Sequence, residues 1–282
     1  MILDGAMGSR LIDLGLQPGI PPESWNTTHP EDIKQIHLEY FNAGSDIVLT
    51  NTFGGSRLKL EAHGHGDKVK EYNSKAVEIA KEVCPSNGYV AGDIGPSGKF
   101  LPPVGSASEV DFEKNFSEQT AILADAGVDL FFIETMVDIK EAEIAVRAAK
   151  QVSDVPIFAS MTYKKTKRGF FTIMGNSAEQ CSEILKKAGA DAIGGNCTIS
   201  SEDMIDLIPL IAHSTDLPVI AKPNAGQPQL VQGKTIYLSK PTEFASDILK
   251  TIKNGARIVG GCCGSNPKFI SEILKQIMGE KK

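Results

Sequence analysis

Residues 188–197 have the sequence AGADAIGGNC, in which the end of a helix leads directly into a short apolar run. Glycine is the residue that most often ends a helix in the left-handed conformation, and the run after it suits a strand buried on both faces. Similar joints occur at 43–46, 126–129 and 254–257. The joint therefore predicts a chain that repeats one helix–strand unit.

Eight short apolar runs along the chain are predicted to be strands. They are the segments 2–5, 46–52, 89–95, 129–135, 156–162, 192–197, 218–224 and 257–263. Helices are expected between them, and Asp138 with Glu141 and Ser177 with Gln180 resemble the capping boxes that begin helices. Strands that alternate with helices form a parallel sheet, and eight such units favour closure into a barrel. The sequence thus predicts an α/β protein with a single (β/α)8 TIM barrel domain over residues 1–282.

The composition and the first strand exclude several other classes of protein. A doubly wound dinucleotide-binding sheet carries G-x-G-x-x-G after its first strand, whereas residues 4–8 are DGAMG. A net charge of −6 without a concentrated basic face argues against nucleic-acid binding. No apolar stretch is long enough to span a membrane, and the N-terminus lacks the pattern of a signal peptide. Five cysteines are too few for a disulfide scaffold, so a cytoplasmic protein is expected.

Functional groups of such barrels lie where the strands end, at the carboxyl edge of the sheet. Three of the five cysteines, Cys197, Cys262 and Cys263, occupy the ends of two nearby predicted strands. Three thiols that converge in a reducing compartment favour a soft metal, of which Zn²⁺ with an open fourth position is the first choice. The other two cysteines, Cys84 and Cys181, lie on predicted helices and are expected to be structural.

Short motifs at the strand ends resemble those of the homocysteine S-methyltransferase family. The cysteine-bearing segments 194–197 (GGNC) and 260–264 (GGCCG) resemble its two zinc signatures. Five further segments fit the same family: 4–8 (DGAMG), 50–54 (TNTFG), 92–96 (GDIGP), 134–135 (ET) and 223–226 (PNAG). The resemblance extends from about residue 2 to about residue 270. It is greater to the homocysteine-binding module of cobalamin-dependent methionine synthase than to the betaine or S-methylmethionine branches.

The resemblance implies a methyltransferase in which Cys197, Cys262 and Cys263 are zinc ligands. A free thiol is only a few per cent thiolate at neutral pH, and coordination to zinc deprotonates it. A substrate thiol in the fourth position would therefore arrive as a nucleophile without a protein base. Homocysteine is the expected acceptor, and methionine is the expected product.

The resemblance also implies the contacts to the amino acid. Asp4 and Glu134 supply negative charge for its α-ammonium group, and backbone N–H groups near Gly5 and Ala6 are placed to receive its carboxylate. Asn224 ends the strand between the two cysteine-bearing strands. Its amide oxygen is a candidate for the fourth zinc position before substrate binds, and the alternative is an ordinary turn residue.

The methyl donor is not indicated by any segment of this chain, since none resembles a cobalamin-binding or folate-binding module. The resemblance implies methylcobalamin on a separate corrinoid protein that meets the barrel mouth. Three alternatives stay open. The chain could transfer methyl groups between a corrinoid protein and another thiol or methylated compound, act as a Schiff-base lyase through Lys222, or be a non-catalytic zinc-binding barrel.

Overall fold

The computed structural model describes residues 1–231 and 234–280 and shows an α/β fold. Residues 232–233 and 281–282 of the predicted domain lie outside the described part of the chain. The helices are α1 (Gly8–Asp13), α2 (Trp25–Thr28), α3 (Pro30–Ala43), α4 (Arg57–Glu61), α5 (Val69–Val83), α6 (Glu109–Asp125), α7 (Ile139–Val152), α8 (Ala178–Ala188), α9 (Ser201–Ser214), α10 (Pro241–Lys253) and α11 (Pro267–Glu280). The strands are β1 (Ile47–Leu49), β2 (Tyr89–Ile94), β3 (Leu130–Met136), β4 (Ile157–Met161), β5 (Lys164–Thr166), β6 (Gly169–Phe171), β7 (Ala192–Ser200), β8 (Val219–Asn224), β9 (Gln229–Val231), β10 (Lys234–Ile236) and β11 (Ala256–Val259).

Seven strands form one sheet in the order β1-β2-β3-β4-β7-β8-β11. Every pair of neighbours in it runs parallel, as the alternation with helices predicted. Each of these strands overlaps one of the seven predicted segments between 46–52 and 257–263, which confirms those segments. The carboxyl ends of all seven strands consequently meet at one edge of the sheet.

The first predicted strand, 2–5, is wrong, and the sheet is not an eight-stranded closed barrel. Only single bridges form there: Ile2 pairs in parallel with Val259 of β11, and Leu3 pairs in parallel with Ile47 of β1. Both edges of the sheet are therefore joined by the same two residues. The described architecture is a curled, seven-stranded parallel sheet.

Side-chain and backbone hydrogen bonds both hold this segment between the two edge strands. The Asp46 carboxylate accepts a hydrogen bond from the backbone N–H of Ile2 at 2.7 Å. The Asp4 carboxylate accepts one from the backbone N–H of Leu49 at 2.8 Å. Backbone bonds add to these contacts: the Leu3 N–H donates to the Val259 carbonyl at 2.7 Å, and the Ile47 N–H donates to the Ile2 carbonyl at 3.2 Å.

The helix–strand joints have the geometry that their glycines predicted. Gly44, Gly127, Gly189 and Gly255 have φ angles of +103°, +91°, +107° and +118°. A residue with a Cβ atom is rarely found in this left-handed region, which explains the glycine at each joint. Gly44 and Gly189 are the C-caps of α3 and α8, and each joint leads into a strand of the sheet.

One of the two predicted capping boxes is confirmed. The Ser177 and Gln180 side chains bond each other's backbone N–H groups at the start of α8. The other predicted box, formed by Asp138 and Glu141, is wrong in part. The Asp138 side chain accepts a hydrogen bond at the start of α7, but the reciprocal bond from Glu141 is not formed. The Glu141 carboxylate instead accepts from the backbone N–H of Ser97, in the loop after β2, at 2.7 Å.

Two antiparallel hairpins, β5–β6 and β9–β10, were not predicted. They follow β4 and β8 directly, so both extend the chain at the carboxyl edge of the sheet. The turn of the second hairpin, 232–233, lies outside the described residues. The edge where functional groups were expected is therefore also the edge that carries these additional elements.

Buried side chains form separate clusters on the two faces of the sheet. The larger cluster packs between sheet and helices and includes Val48, Val90 and Phe131. Residues that alternate with these along the strands lie on the inner face: Leu3, Ile47, Leu49, Ala91, Leu130, Phe132, Ala192, Ile220 and Ile258. Within residues 1–231 and 234–280, none of the helices combines the length and apolar composition that crossing a bilayer requires.

Candidate metal and substrate site

The three cysteines predicted as a metal site come together at the carboxyl edge of the sheet. The Sγ atoms of Cys197, Cys262 and Cys263 all lie within 4.8 Å of one another, and those of Cys197 and Cys263 are 3.9 Å apart. A tetrahedral zinc ion with Zn–S bonds of about 2.3 Å separates its sulfur ligands by about 3.8 Å. The donor type and the spacing both fit one soft metal ion.

Adjacent Cys262 and Cys263 reach the same point because β11 ends before them. The backbone N–H of Cys262 donates to the Pro223 carbonyl at 2.7 Å, and the Cys263 carbonyl accepts from the Ala225 N–H at 2.9 Å. These bonds hold the pair against the end of β8. Gly264, with a φ of +79°, then turns the chain away. Outside a pleated strand, neighbouring side chains need not point to opposite faces.

The backbone at Cys197 has an unfavourable left-handed conformation. Cys197 and Thr198 both have a φ of +53°, and Thr135 at the end of β3 has a φ of +58°. Such a left-handed conformation costs a residue other than glycine roughly 1–3 kcal/mol and tends to occur at functional sites. Cys197 and Thr135 both line the cavity described below.

Hydrogen bonding among the thiols separates their acidities. Bonds from Cys197 and Cys262 lower the pKa of the Cys263 thiol to about 3. The same crowding raises the pKa of Cys197, because its neighbours Cys262 and Cys263 compete for the negative charge. Thiolate is the form of cysteine that binds metals.

A cavity of about 470 Å³ opens above the inner cluster of the sheet. The three cysteines line it together with a buried group of charged side chains and the segment 4–9. The wall also includes Ile20, Phe53, Lys59 and His63. The predicted metal ligands and the predicted amino-acid contacts of β3 and the N-terminal segment thus share one cavity.

A buried ion pair forms one wall of the cavity. The ammonium Nζ of Lys222 lies 3.1 Å from Oε1 of Glu134, and these side chains are only 4% and 5% exposed. Burial lowers the pKa of Lys222, but the Glu134 carboxylate and the other acidic groups outweigh it and raise the pKa well above its usual value. Lys222 is therefore a protonated partner of Glu134, a role that the sequence did not indicate.

The second oxygen of Glu134 is also engaged. It accepts hydrogen bonds from the Thr135 hydroxyl at 2.9 Å and from the Asn196 amide. The Asn196 amide oxygen in turn accepts from the backbone N–H of Thr135 at 2.8 Å and from the Ser160 hydroxyl at 2.6 Å. Asn196 thereby connects β3, β4 and β7 directly beside Cys197. Its position next to Cys197 in the GGNC motif is the only signal for this role in the sequence.

Two further carboxyl groups are buried in the cavity wall. One oxygen of Asp4 accepts from the Leu49 N–H, and the other has no hydrogen-bond partner in the described part of the chain. Burial raises the pKa of Asp4 to about 7. Asp93, at the end of β2, is 6% exposed, and its buried Oδ1 likewise has no partner among the described residues. Burial and the nearby Glu134 raise the pKa of Asp93 well above its usual value.

Of the remaining predicted contact residues, Gly5 and Ala6 line the cavity, whereas Asn224 is not among the described lining residues. Gly5 and Ala6 line the cavity, but the Ala6 N–H already donates to the Ser265 hydroxyl at 3.2 Å. Asn224 is buried at the end of β8, with an Oδ1 that has no partner in residues 1–231 and 234–280, and it is not among the described residues that line the cavity. Its role as a fourth zinc ligand stays a prediction.

Known sequences match the whole length of this chain. A sequence profile of the family described as Homocysteine S-methyltransferase matches residues 1–277. A methionine synthase of Mycobacterium tuberculosis is 30% identical over 300 residues, covering 100% of this chain and 25% of that protein. A methionine synthase of Mycobacterium leprae is 30% identical over 295 residues, covering 98% of this chain and 24% of that protein. The chain thus spans about a quarter of the length of these relatives.

Solved structures show the same fold. The homocysteine methyltransferase MmuM from Escherichia coli, in a metallated form, superposes with a TM-score of 0.82 and 23% sequence identity over 98% of this chain and 96% of its own. The oxidized form of that protein superposes with a TM-score of 0.78 and 24% identity over 98% and 95% of the two chains. The profile match over residues 1–277 establishes that the chain belongs to the homocysteine S-methyltransferase family.

Proposed function

We propose that this chain binds homocysteine and prepares its thiol for S-methylation, with methionine as the product. The observation that carries the proposal is the convergence of three cysteine sulfurs on one cavity that also holds buried carboxyl groups. The sulfurs provide a place for the substrate thiol beside a metal, and the carboxyl groups provide a place for an α-ammonium. Membership of the family supports the same acceptor.

Zn²⁺ is the metal that these residues fit. Cys197, Cys262 and Cys263 are three soft donors, and three protein ligands leave one position of a tetrahedral ion open for substrate. Bound zinc would supply one chemical effect, which is to keep the coordinated substrate thiol deprotonated at neutral pH. The proposal extends to Asn224 as an occupant of the open position before substrate binds.

The protein groups around the metal site bind and orient the amino acid. Asp4 and Glu134 supply negative charge in a wall with little access to water, where an ammonium group is held more strongly than in solution. The backbone at Gly5 and Ala6 borders the same space and would receive the substrate carboxylate. Holding both charged groups on the α-carbon would leave the thiol at the other end of the amino acid free to reach the cysteines.

We propose that the methyl group comes from a methylcorrinoid protein that meets the open end of the cavity. The similarity to methionine synthases supports this donor, since the chain corresponds to only a quarter of those proteins. Transfer between a corrinoid protein and another thiol or methylated compound is the variant of this proposal. All five cysteines are free thiols, which supports action in the reducing cytoplasm.

The Schiff-base alternative is disfavoured by the surroundings of Lys222. Imine formation needs a neutral amine, whereas the Lys222 ammonium is held by the Glu134 carboxylate and its pKa is raised. Trapping with borohydride in the presence of carbonyl compounds is expected to leave the mass of the protein unchanged.

A donor assay tests the proposed function. Zinc-loaded protein is incubated with homocysteine and one of four donors: methylcobalamin, S-methylmethionine, betaine or methyltetrahydrofolate. We expect methionine to form with methylcobalamin faster than with the other donors, because the resemblance is to the cobalamin-dependent branch. Methionine from S-methylmethionine or betaine alone would contradict the corrinoid donor and retain the acceptor. No methionine with any donor, including a methylated corrinoid protein, would contradict the proposed function.

A further inference from the structure

We infer that Tyr237 shields Cys263, one of the three cysteines of the candidate metal site, from methylation. Its hydroxyl group donates a hydrogen bond to the Cys263 sulfur and makes that sulfur a poorer nucleophile than the substrate thiol. This role rests on the proposed function, because it concerns which sulfur in the cavity receives the methyl group. Tyr237 acts through Cys263 and is therefore a positioning residue.

A site that prepares one thiol for methylation holds other sulfurs that compete with it. Cys197, Cys262 and Cys263 line the same cavity, and cysteines that bind a metal are thiolates, the nucleophilic form. Attack by one of them would form its own S–CH₃ bond, and the electron pair of the broken bond would leave with the donor. The product is a neutral thioether, so the metal would lose a thiolate ligand.

The three cysteines differ in how far a donor can reach them. Cys262 is buried, whereas Cys197 and Cys263 are half-buried. Burial alone protects Cys262. Cys263 is the more exposed member of the adjacent pair and needs another form of protection.

Tyr237 packs directly on the segment that holds Cys263. It follows the β9–β10 hairpin, and its ring lies against Gly264, where a Cβ atom would overlap the ring. Its hydroxyl donates a hydrogen bond to the Cys263 sulfur. Glycine at position 264 thus serves both the left-handed turn, with a φ of +79°, and the contact with the tyrosine.

Backbone hydrogen bonds hold the tyrosine segment in this place. The Ser239 N–H donates to the Ala225 carbonyl at 3.1 Å, and the Ala225 N–H donates to the Cys263 carbonyl at 2.9 Å. Ala225 directly follows β8, so the chain returns from the hairpin along the end of that strand. Two backbone bonds therefore connect the segment of Tyr237 to Cys263 in addition to the side-chain bond.

A metal and a hydroxyl group can share one thiolate sulfur, because the sulfur keeps further lone pairs after one of them binds the metal. Hydrogen bonds to a charged acceptor are stronger than those to a neutral one. Such outer partners tune the electron density of a metal ligand. The bond to Tyr237 weakens as the sulfur gives its charge to a methyl group, so the barrier to methylation of Cys263 rises.

Alkylation of the zinc-loaded full chain with iodomethane tests the inference, since each thiolate that displaces iodide gains one methyl group. Tyr237→Phe keeps the ring and removes only the hydroxyl. In this variant, we expect Cys263 to be methylated at least about fivefold faster than in the wild type, as for partial loss of a charge-assisted hydrogen bond. The rate at Cys197 should change less than about twofold, because the partners of its sulfur are the other two cysteines. Fragment masses of the peptides assign each methyl group to its cysteine.

Tyr89→Phe is the matched control. It removes the hydroxyl of an exposed tyrosine at the start of β2, at the opposite edge of the sheet from the cysteines. The methylation rate of every cysteine should equal that of the wild type. Zinc content should be equal in all three proteins, since each retains the three thiols.

The outcomes separate this inference from the proposed function. If Cys263 of Tyr237→Phe is methylated at the wild-type rate, or if methylation rises equally at all three cysteines as after loss of the metal, the inference is wrong while the proposed function stands. The donor assay with homocysteine, run on the same wild-type protein, tests the proposed function separately. If no donor gives methionine there, the proposed function is contradicted, and the role of Tyr237 with it.

Discussion

Replacement of Cys262 by alanine is expected to lower methyl transfer to homocysteine at least about 10³-fold and to reduce bound zinc from one ion per chain to almost none. The Cys262 sulfur lies within 4.8 Å of both other thiols and is the most buried of the three. Without it, two donors remain, and two cysteines do not make a stable catalytic zinc site. Loss of metal activation removes several kcal/mol of stabilisation, and each 1.36 kcal/mol is a factor of ten in rate.

The matched control for Cys262 is Cys84→Ala, which removes a free, half-exposed thiol after α5 and away from the described cavity. Zinc content by atomic absorption and methionine formation should both equal those of the wild type. Wild-type zinc content and turnover in the Cys262→Ala protein would show that the three thiols are not the metal site.

Replacement of Lys222 by methionine is expected to destabilise the protein by about 3–5 kcal/mol. Methionine has a similar length but no charge, so the Glu134 carboxylate would stay buried without its ammonium partner. Removing one member of a buried ion pair costs that much because the remaining charge cannot regain water. The free energy of unfolding, measured with urea at pH 7, gives the effect directly.

A double variant and a surface pair calibrate this result. Adding Glu134→Gln to Lys222→Met removes both charges, and we expect it to recover a large part of the lost free energy. Lys81→Met breaks an ion pair with Asp129 at 2.8 Å in which both side chains are about a third exposed. That change should cost no more than about 1 kcal/mol. A Lys222→Met protein as stable as Lys81→Met would contradict the buried pair.

The repeated unit was predictable because each joint carries its own local cause. The glycines at 44, 127, 189 and 255 all adopt the left-handed conformation that the joints require. The prediction of a first strand at residues 2–5 is wrong for the opposite reason. Its pairing depends on residues far away in the sequence, since Ile2 bridges Val259 and Leu3 bridges Ile47. Composition alone does not distinguish a two-residue bridge from a strand.

The candidate site likewise has one part that the sequence predicts and one part that it does not. The cysteines were predictable because three thiols at strand ends have few other uses, and the structure brings their sulfurs together. The Lys222–Glu134 pair was not predictable, since β8 and β3 are not neighbours in the sheet and meet only across its curled interior. A lysine in an otherwise apolar strand was the one signal. It identified a buried cation without naming its partner.

The central claim is that three cysteines of this chain hold a zinc ion whose open position takes the homocysteine thiol. X-ray absorption at the zinc edge tests it by counting sulfur neighbours of the metal with and without homocysteine. We predict three sulfur atoms and one lighter atom for the protein alone, and four sulfur atoms after homocysteine is added. A sulfur count that stays at three when homocysteine is bound would contradict the claim.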